Sequence, residues 1–296
     1  MAQPQCRTKV MKRQSTLNLN GQIVDLSTPQ VMGIVNVTPD SFYAGSRRSG
    51  DKAITERIEQ IVAEGGSMVD VGGCSTRPGN KLPDEAEEMA RLRPALRILR
   101  EQFPALPVSV DTFRSNVAKM ACQEYGAAIV NDISGGLGDE AMFHTVGALG
   151  VAYILMHIAG SVETMHTEAV YEPNVETAVA DFFIKRVQAL RAEGVKDIIL
   201  DAGFGFSKSP ADNYRLLAHC NDAFTDLGFP LLVGISRKRM IWRLLDSNPD
   251  EALNGTTVLN TVALLLGGAD ILRVHDVREA VEAVRLVAQV NPYLTH

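Results

Sequence analysis

Eight short apolar runs recur along this chain, each ending on a polar or charged residue, with helix-like stretches between them. The runs end at Asn36, Asp70, Asp111, Asn131, His157, Asp201, Ser236 and Arg273, at intervals of 34, 41, 20, 26, 44, 35 and 37 residues. Each interval is close to the length of one strand, one helix and two loops. Eight β-α units in series predict a closed parallel barrel of the (β/α)8, or TIM-barrel, class. That architecture gathers the C-terminal ends of its strands around one mouth, so residues far apart in sequence meet at a single site. The run-end residues therefore constrain function more than any other feature.

The expected strands are VMGIVNV (31–37), MVDVGG (68–73), PVSVDT (107–112), AIVNDIS (128–134), AYILMH (152–157), IILDAG (198–203), PLLVGIS (230–236) and ILRVHD (271–276). The later four have mostly apolar bodies, as suits parallel strands covered outside and packed inside. Helices are expected at 52–66, at 84–103, from Arg114, at 139–149, up to Gly194, within 210–227 and on to about Val290. Ahead of the barrel, residues 15–27 (STLNLNGQIVDLS) alternate around Asn20-Gly21, a hairpin signal. A hairpin placed there is expected to plug the N-terminal end of the barrel. Residues 1–14 are polar and expected to be loose. With no linker or repeat beyond the β-α period, residues 15–296 form one domain, with the barrel at 31–290.

Hydrophobic residues make up 46% and charged residues 22% of the 296, which suits a globular protein. No apolar stretch is long enough to span a bilayer, and no apolar signal core follows the basic start, so a cytoplasmic protein is expected. The four cysteines, Cys6, Cys74, Cys122 and Cys220, are isolated and read as free thiols. A net charge of −6 argues against nucleic acid as a partner. A small anionic substrate still fits if positive charge is concentrated locally.

The last two strands supply that concentration. Arg273 and His275 are two apart, so they leave the same face of their strand. An Arg fork beside an imidazole suits an oxyanion or phosphate clamp, and the N–H groups of the helix opening at Asp276-Val277 add positive potential. The alternative is an Arg–Asp ion pair at a strand end. Ser236-Arg237-Lys238 brings two more cations to the mouth, which need carboxylates, an anion, or outward orientation of one of them. Asp111, Asp201, and Asp132 or its neighbour Asn131 are available to balance that charge. Turned inward, they would suit the amino and ring N–H groups of a flat heterocycle. Acid–base work or metal binding is the rival use. GFGFSK (203–208) lacks the pattern of a phosphate loop, and Phe204 or Phe206 would either wall a site for a planar ring or pack beneath the next helix. His157, alone at its strand end, reads as structural. Long Gly-, Pro-, Ser- and Thr-rich connections at 38–51, 74–83 and 158–173 follow strand ends and read as binding loops.

At these same segments the chain resembles the dihydropteroate synthases of the pterin-binding family. MGIVNVTPDSF and VDVGGCSTRPG resemble the family's two signatures, and SVDT, IVNDIS, LMH, LDAGFGFSK, LLVGISRK and GADILRVHDV follow in the family's order across residues 31–290. The resemblance implies condensation of 6-hydroxymethyl-7,8-dihydropterin pyrophosphate with para-aminobenzoate, in folate biosynthesis, with magnesium accompanying the pyrophosphate. It implies that Asp111, Asn131, Asp201, Lys238, Met156 and Gly205 hold the pterin. Asn36, Arg77, Arg273 and His275 would hold the pyrophosphate, with Asn36 at the metal. Phe42, Thr76, Arg77, Pro78, Phe206 and Lys238 would border the para-aminobenzoate pocket, with Asp40 in a closing loop. Asp111, Lys238, Arg273 and His275 would carry the chemistry. A homodimer through helices 6 to 8 is also implied.

The chain departs from the family pattern at Cys74, where Glu is usual, at Ala202 for Pro, at Ser207 for Gly, at Arg239 for Ser, and at Tyr43-Ala44 for Ser-Asp. None of these positions is an implied pterin or pyrophosphate ligand. They bear on para-aminobenzoate contacts, loop motion and sulfonamide sensitivity. Two other readings share the barrel: a methyltetrahydrofolate:corrinoid methyltransferase, which has little use for the STRPG loop or the Arg-x-His pair, and a barrel that binds pterin without turnover.

Overall fold

A computed structural model describes residues 13–38, 47–74 and 82–293, with side chains from residue 50 onward in the second segment. Asp40, Phe42, Tyr43, Ala44, Thr76, Arg77 and Pro78 lie outside the described residues. The chain opens with a two-stranded antiparallel hairpin, β1 (Thr16–Leu19) and β2 (Gln22–Asp25). Eight parallel strands follow: β3 (Gln30–Asn36), β4 (Met68–Gly72), β5 (Val108–Asp111), β6 (Ile129–Asp132), β7 (Ala152–Met156), β8 (Ile198–Asp201), β9 (Leu231–Val233) and β10 (Ile271–Val274). They close in chain order, β10 pairing with both β9 and β3. The eightfold repeat thus forms the expected TIM barrel.

The longer helices outside the barrel are α1 (Arg47–Ala63), α2 (Glu85–Gln102), α3 (Ser115–Tyr125), α4 (Met142–Leu149), α5 (Val175–Ala192), α6 (Pro210–Phe224), α8 (Leu253–Leu265) and α9 (Val277–Val290), with a short α7 at Arg239–Trp242. Their starts follow capping chemistry. Asp84 accepts the Glu87 N–H at 2.8 Å, Asn174 accepts that of Thr177 at 2.9 Å, and Ser209 and Asp212 form a capping box. Helix α4 begins three residues later than expected because Asp139 sits in the preceding turn. Its carboxylate accepts the N–H groups of Ser115 and Ala141.

Alternation of period two sorts each strand into an outer and an inner face. Outward residues such as Val35, Val71, Val110, Val130, Leu155, Leu200, Val233 and Val274 join the helices in one large core. Inward residues change character along the barrel axis. At the N-terminal end Met32, Met68, Ile129, Ile154, Ile199, Leu232 and Ile271 pack with Leu17, Leu19 and Leu26 of the hairpin segment. One layer further on, the inward positions are Asn36, Asp70, Asp111, Asn131, Asp201 and Arg273.

The hairpin is therefore the plug its sequence suggested. Asn20 (φ 53°) and Gly21 (φ 88°) make the two-residue turn, a left-handed pair that Asn-Gly adopts at little cost. Leu17→Ala should cost about 2–5 kcal/mol, because the side chain is fully buried and its removal opens a cavity. Chemical denaturation would read this, and substrate KM values should not move, since the mutation lies at the opposite end from the polar layer.

Several strands end sooner than the apolar runs. β9 stops at Val233 rather than Ser236, and β10 at Val274 rather than Asp276. Neighbouring chains diverge at the mouth, and the ladder gives way to side-chain bonds: Ser236 Oγ, not a carbonyl, accepts the His275 N–H at 3.1 Å.

Candidate active site

The polar layer is built around one guanidinium. Arg273 Nε donates to Asp70 Oδ2 at 2.6 Å, and its Nη2 donates to Asp111 Oδ2 at 2.9 Å. Asn131 Nδ2 donates to the same Asp70 oxygen at 3.1 Å. Asp70 is fully buried, and among the described residues its other oxygen has no hydrogen-bond partner. Two acids thus share a single cation. Burial and the neighbouring Asp70 charge push the Asp111 carboxyl up to about 7, against the pull of Arg273. The arginine fork is occupied by acids, so the strand-end ion pair is present, in the position the anion clamp would need.

His275 acts as a neutral imidazole. Burial and the adjacent Arg273 lower its pKa to about 4. Ser236 Oγ accepts the His275 backbone N–H, so its own proton is free for the ring Nδ1 3.0 Å away. With the Ser236 hydroxyl as the donor in that bond, the ring proton lies on Nε2, where it can be donated to a ligand. Arg57 fixes the backbone here by donating to the carbonyls of His275 (2.6 Å) and Ile34 (3.3 Å).

The cations after β9 divide. Arg237 turns outward, pairing bidentately with Asp276 at 2.8 and 2.9 Å. Lys238 turns to the mouth, where its Nζ donates to the Phe204 carbonyl and lies 4.4 Å from the centroid of the Phe206 ring. Burial lowers its pKa to about 8, opposed by Asp201. Burial raises that of Asp201, opposed first by Lys238. Asp201 Oδ1 also accepts the Gly203 N–H at 2.8 Å, which starts the turn carrying both phenylalanines.

Those phenylalanines take different roles. Phe204 is fully buried in the outer core, whereas Phe206 packs with Met156, Ile133, Ile158 and Met165 in a smaller apolar cluster at the mouth and stacks on His166. The β6 register separates Asn131 from Asp132 in the same way. Asn131 faces inward, while Asp132 faces out and accepts from Ser134 N and Oγ, Gly136 N and Tyr153 Oη (2.6 Å). Asp132 is therefore a buried structural carboxylate, and the open choice between the two falls to Asn131.

Two functional candidates escaped sequence reasoning. Asp70 was visible as a run end, but nothing in the sequence tied it to Arg273. Lys208 is buried, with Nζ 3.0 Å from His157 Nδ1 and 3.1 Å from the carbonyls of Gly203 and Phe206. His157 is accordingly structural, a neutral ring held by burial and by Lys208 far below its usual pKa. Lys208 itself is lowered to about 7 by burial.

Cys74 closes β4's end beside Arg114 (3.9 Å), which also pairs with Glu88 and donates to the Pro83 carbonyl. Burial and then Glu88 raise its thiol pKa, which disfavours the thiolate a nucleophile needs. Cys122 and Cys220 are likewise free. Asn36 and Asp111 flank Gly72 at the mouth, where an added Cβ would lie 3.6 Å from Asn36 Oδ1 and 3.5 Å from Asp111 Oδ2. Among the described residues no three acids, histidines or cysteines converge as a metal cage, and no helix is long and apolar enough to cross a membrane.

Comparison with known proteins agrees with this geometry. The family described as pterin binding enzyme matches residues 32–275. The dihydropteroate synthase of Escherichia coli K12 is 38% identical over 269 residues, covering 90% of this chain and 93% of its own. The Xanthomonas albilineans dihydropteroate synthase, solved with 4-aminobenzoic acid, superposes with a TM-score of 0.85 at 36% identity, covering 94% of this chain and 98% of its own. The Burkholderia cenocepacia enzyme, complexed with 7,8-dihydropteroate, gives a TM-score of 0.82 at 34% identity, covering 94% and 97%. With the barrel, the ordered motifs and relatives aligned along nearly their whole length, the chain belongs to the dihydropteroate synthase group of pterin-binding enzymes.

Proposed function

We propose that this chain condenses 6-hydroxymethyl-7,8-dihydropterin pyrophosphate with para-aminobenzoate, giving 7,8-dihydropteroate and pyrophosphate for folate synthesis. The observation that carries the residue assignment is the layer joining Asp70, Asp111, Asn131 and Arg273, with Asp201 and Lys238 across the same mouth. Asp111, Asn131 and Asp201 present oxygen acceptors, and Asn131 and Lys238 donors, to the edge of the pterin, with Met156 and Gly205 beside its faces. Arg273, His275 Nε2–H, Asn36 and Arg77 receive the pyrophosphate. Phe206 and Lys238 border the para-aminobenzoate, with Phe42, Thr76, Arg77 and Pro78 from the two loops and Asp40 in the first of them.

In the step itself, the bond from the exocyclic methylene to oxygen breaks and its electron pair leaves with the pyrophosphate. The aromatic amine then donates its lone pair to the methylene carbon and loses a proton to water. Positive charge spreads over the pterin as the bond breaks, and ionised Asp111 opposes it. Arg273 and His275 stabilise the departing anion. No general base is required before attack by a neutral aromatic amine.

Magnesium fits this site as a companion of the substrate. A lone amide oxygen, Asn36 Oδ1, with Asp111 on the other side of Gly72, suits a hard cation that takes most of its ligands from phosphate and water. It would supply charge neutralisation for the leaving group.

The proposal includes a cytoplasmic homodimer that takes small-molecule substrates. Leu244, Leu245 and Val258, exposed in and beside α8, offer apolar surface for a two-fold contact through helices 6 to 8. Mixing the pterin pyrophosphate, para-aminobenzoate and Mg²⁺ with the protein tests the activity. Release of pyrophosphate with formation of dihydropteroate is expected. Binding of the pterin without release would make the chain a silent barrel and overturn the proposal.

A further inference from the structure

Lys208 makes a contact pattern unusual for a buried cation. Its ammonium is 5% exposed as part of the residue, yet its close partners are an imidazole nitrogen and two peptide carbonyls, not an acid. With the His157 carbonyl 3.5 Å away as a more distant fourth acceptor, the group is satisfied. Two of those acceptors, the carbonyls of Gly203 and Phe206, belong to the loop that carries Lys208 itself. The side chain folds back and closes the turn around its own nitrogen. The third acceptor, His157 Nδ1, belongs to a ring wedged edge-on against Phe182, 5.0 Å between centroids, so the nitrogen is anchored to the barrel wall.

The outer side of this turn is what the mouth sees. Phe204 offers its carbonyl to Lys238 Nζ, and Phe206 lays its ring 4.4 Å from the same nitrogen. Asn213 secures the middle of the turn by accepting the Gly205 N–H at 2.6 Å. Ser207, at φ 53°, holds the far end by donating to the Ala159 carbonyl at 3.0 Å. The Phe206 N–H donates to the Gly203 carbonyl at 3.1 Å and closes the turn through the backbone, and Lys208 braces that closure by donating to the carbonyls of both residues.

We propose that Lys208 is a positioning residue for the aromatic amine substrate, its ammonium holding the 203–206 turn in the shape that brings Phe206 and Lys238 together at the mouth. The inference rests on the synthase reading above. It concerns mainly the amine subsite: Gly205 and Lys238 border both substrates, but Asp111 and Asn131 at the pterin edge are held with Asp70 and Arg273 by one another. A loop strut with a purely structural role would lower the fraction of active protein, and so kcat, while leaving KM alone. A positioning role moves KM for one substrate.

The test uses the full chain, Lys208→Met and His157→Phe, with steady-state kinetics in both substrates and Mg²⁺ and a calorimetric titration with the pterin pyrophosphate. For Lys208→Met the KM for para-aminobenzoate is expected to rise about tenfold or more, as a displaced contact residue does. Affinity for the pterin pyrophosphate should stay within about threefold. His157→Phe keeps the ring packing, removes one acceptor, and should give a smaller rise in the same KM. A wild-type chain that releases no pyrophosphate would sink the synthase reading itself. An active wild type beside a Lys208→Met enzyme with unchanged KM for para-aminobenzoate would overturn the role of Lys208 alone. If circular dichroism shows that Lys208→Met has not folded, an unchanged KM in His157→Phe overturns the proposal instead, and a folded Lys208→Met that no longer binds the pterin pyrophosphate also overturns it.

Discussion

Replacing Arg273 with alanine is expected to remove most affinity for the pyrophosphate substrate, on the order of 10²–10³-fold, which is the loss of about 3–4 kcal/mol of charge-assisted hydrogen bonding. The same change should destabilise the fold. Arg273 is the shared partner of Asp70 and Asp111, and removing it strands two acids in a barrel interior. Breaking a buried ion pair costs about 3–5 kcal/mol at a pH where both acids are charged. Protonation relieves that cost. With the cation gone, nothing opposes the burial that already raises Asp111, so the folded mutant holds more proton than the wild type and gains stability relative to it as pH falls. Denaturant midpoints at pH 8 and pH 5.5 should therefore show the gap between mutant and wild type narrowing on acidification. Calorimetry with the pyrophosphate substrate reads the binding loss. Unchanged affinity would remove Arg273 from the clamp.

Asp111→Asn is expected to act on turnover instead. The side chain keeps its size and one oxygen for Arg273, so the ground-state complex should form with KM changed by no more than about threefold. The positive charge opposed by Asp111 exists only as the methylene–oxygen bond breaks. Losing one oriented group of this kind lowers kcat on the order of 10²–10³-fold. The pH profile supplies a second reading. Burial and Asp70 hold Asp111 up to about 7 in the free protein, and the ionised form is the active one. The wild-type kcat/KM should rise as pH increases through about 7, and this limb should be missing in Asp111→Asn. A mutant with wild-type kcat would take Asp111 out of the step.

Much of the fold was legible because its signal is periodic. Eight apolar runs at near-regular spacing leave few topologies open, and Asn20-Gly21 fixed the hairpin by turn chemistry alone. Strand ends were less legible. An apolar residue such as Ile235 belongs to the run but not to the ladder, and hydrophobicity carries no record of where backbone pairing stops. In the site, Asp111, Asp201 and Arg273 fell at one mouth because each ends a run, and Lys238 because it follows the run end Ser236 by two residues. The choice between Asn131 and Asp132 needed the register, since a one-residue step reverses the face. The Asp70–Arg273 bond spans 203 residues, and no local pattern encodes it. Lys208 was hidden for a different reason: two of its close partners are backbone carbonyls, which every residue possesses.

The sealed base of this cylinder has a consequence for traffic. With Leu17, Leu19 and Leu26 stoppering one end, every molecule must come and go by the same doorway. In the proposed arrangement the bicyclic ring lies lowest, against Asn131 and Asp201, and the aniline ring rests above it beside Phe206. The lower guest must then arrive first, and whatever stands over it must clear before it can leave.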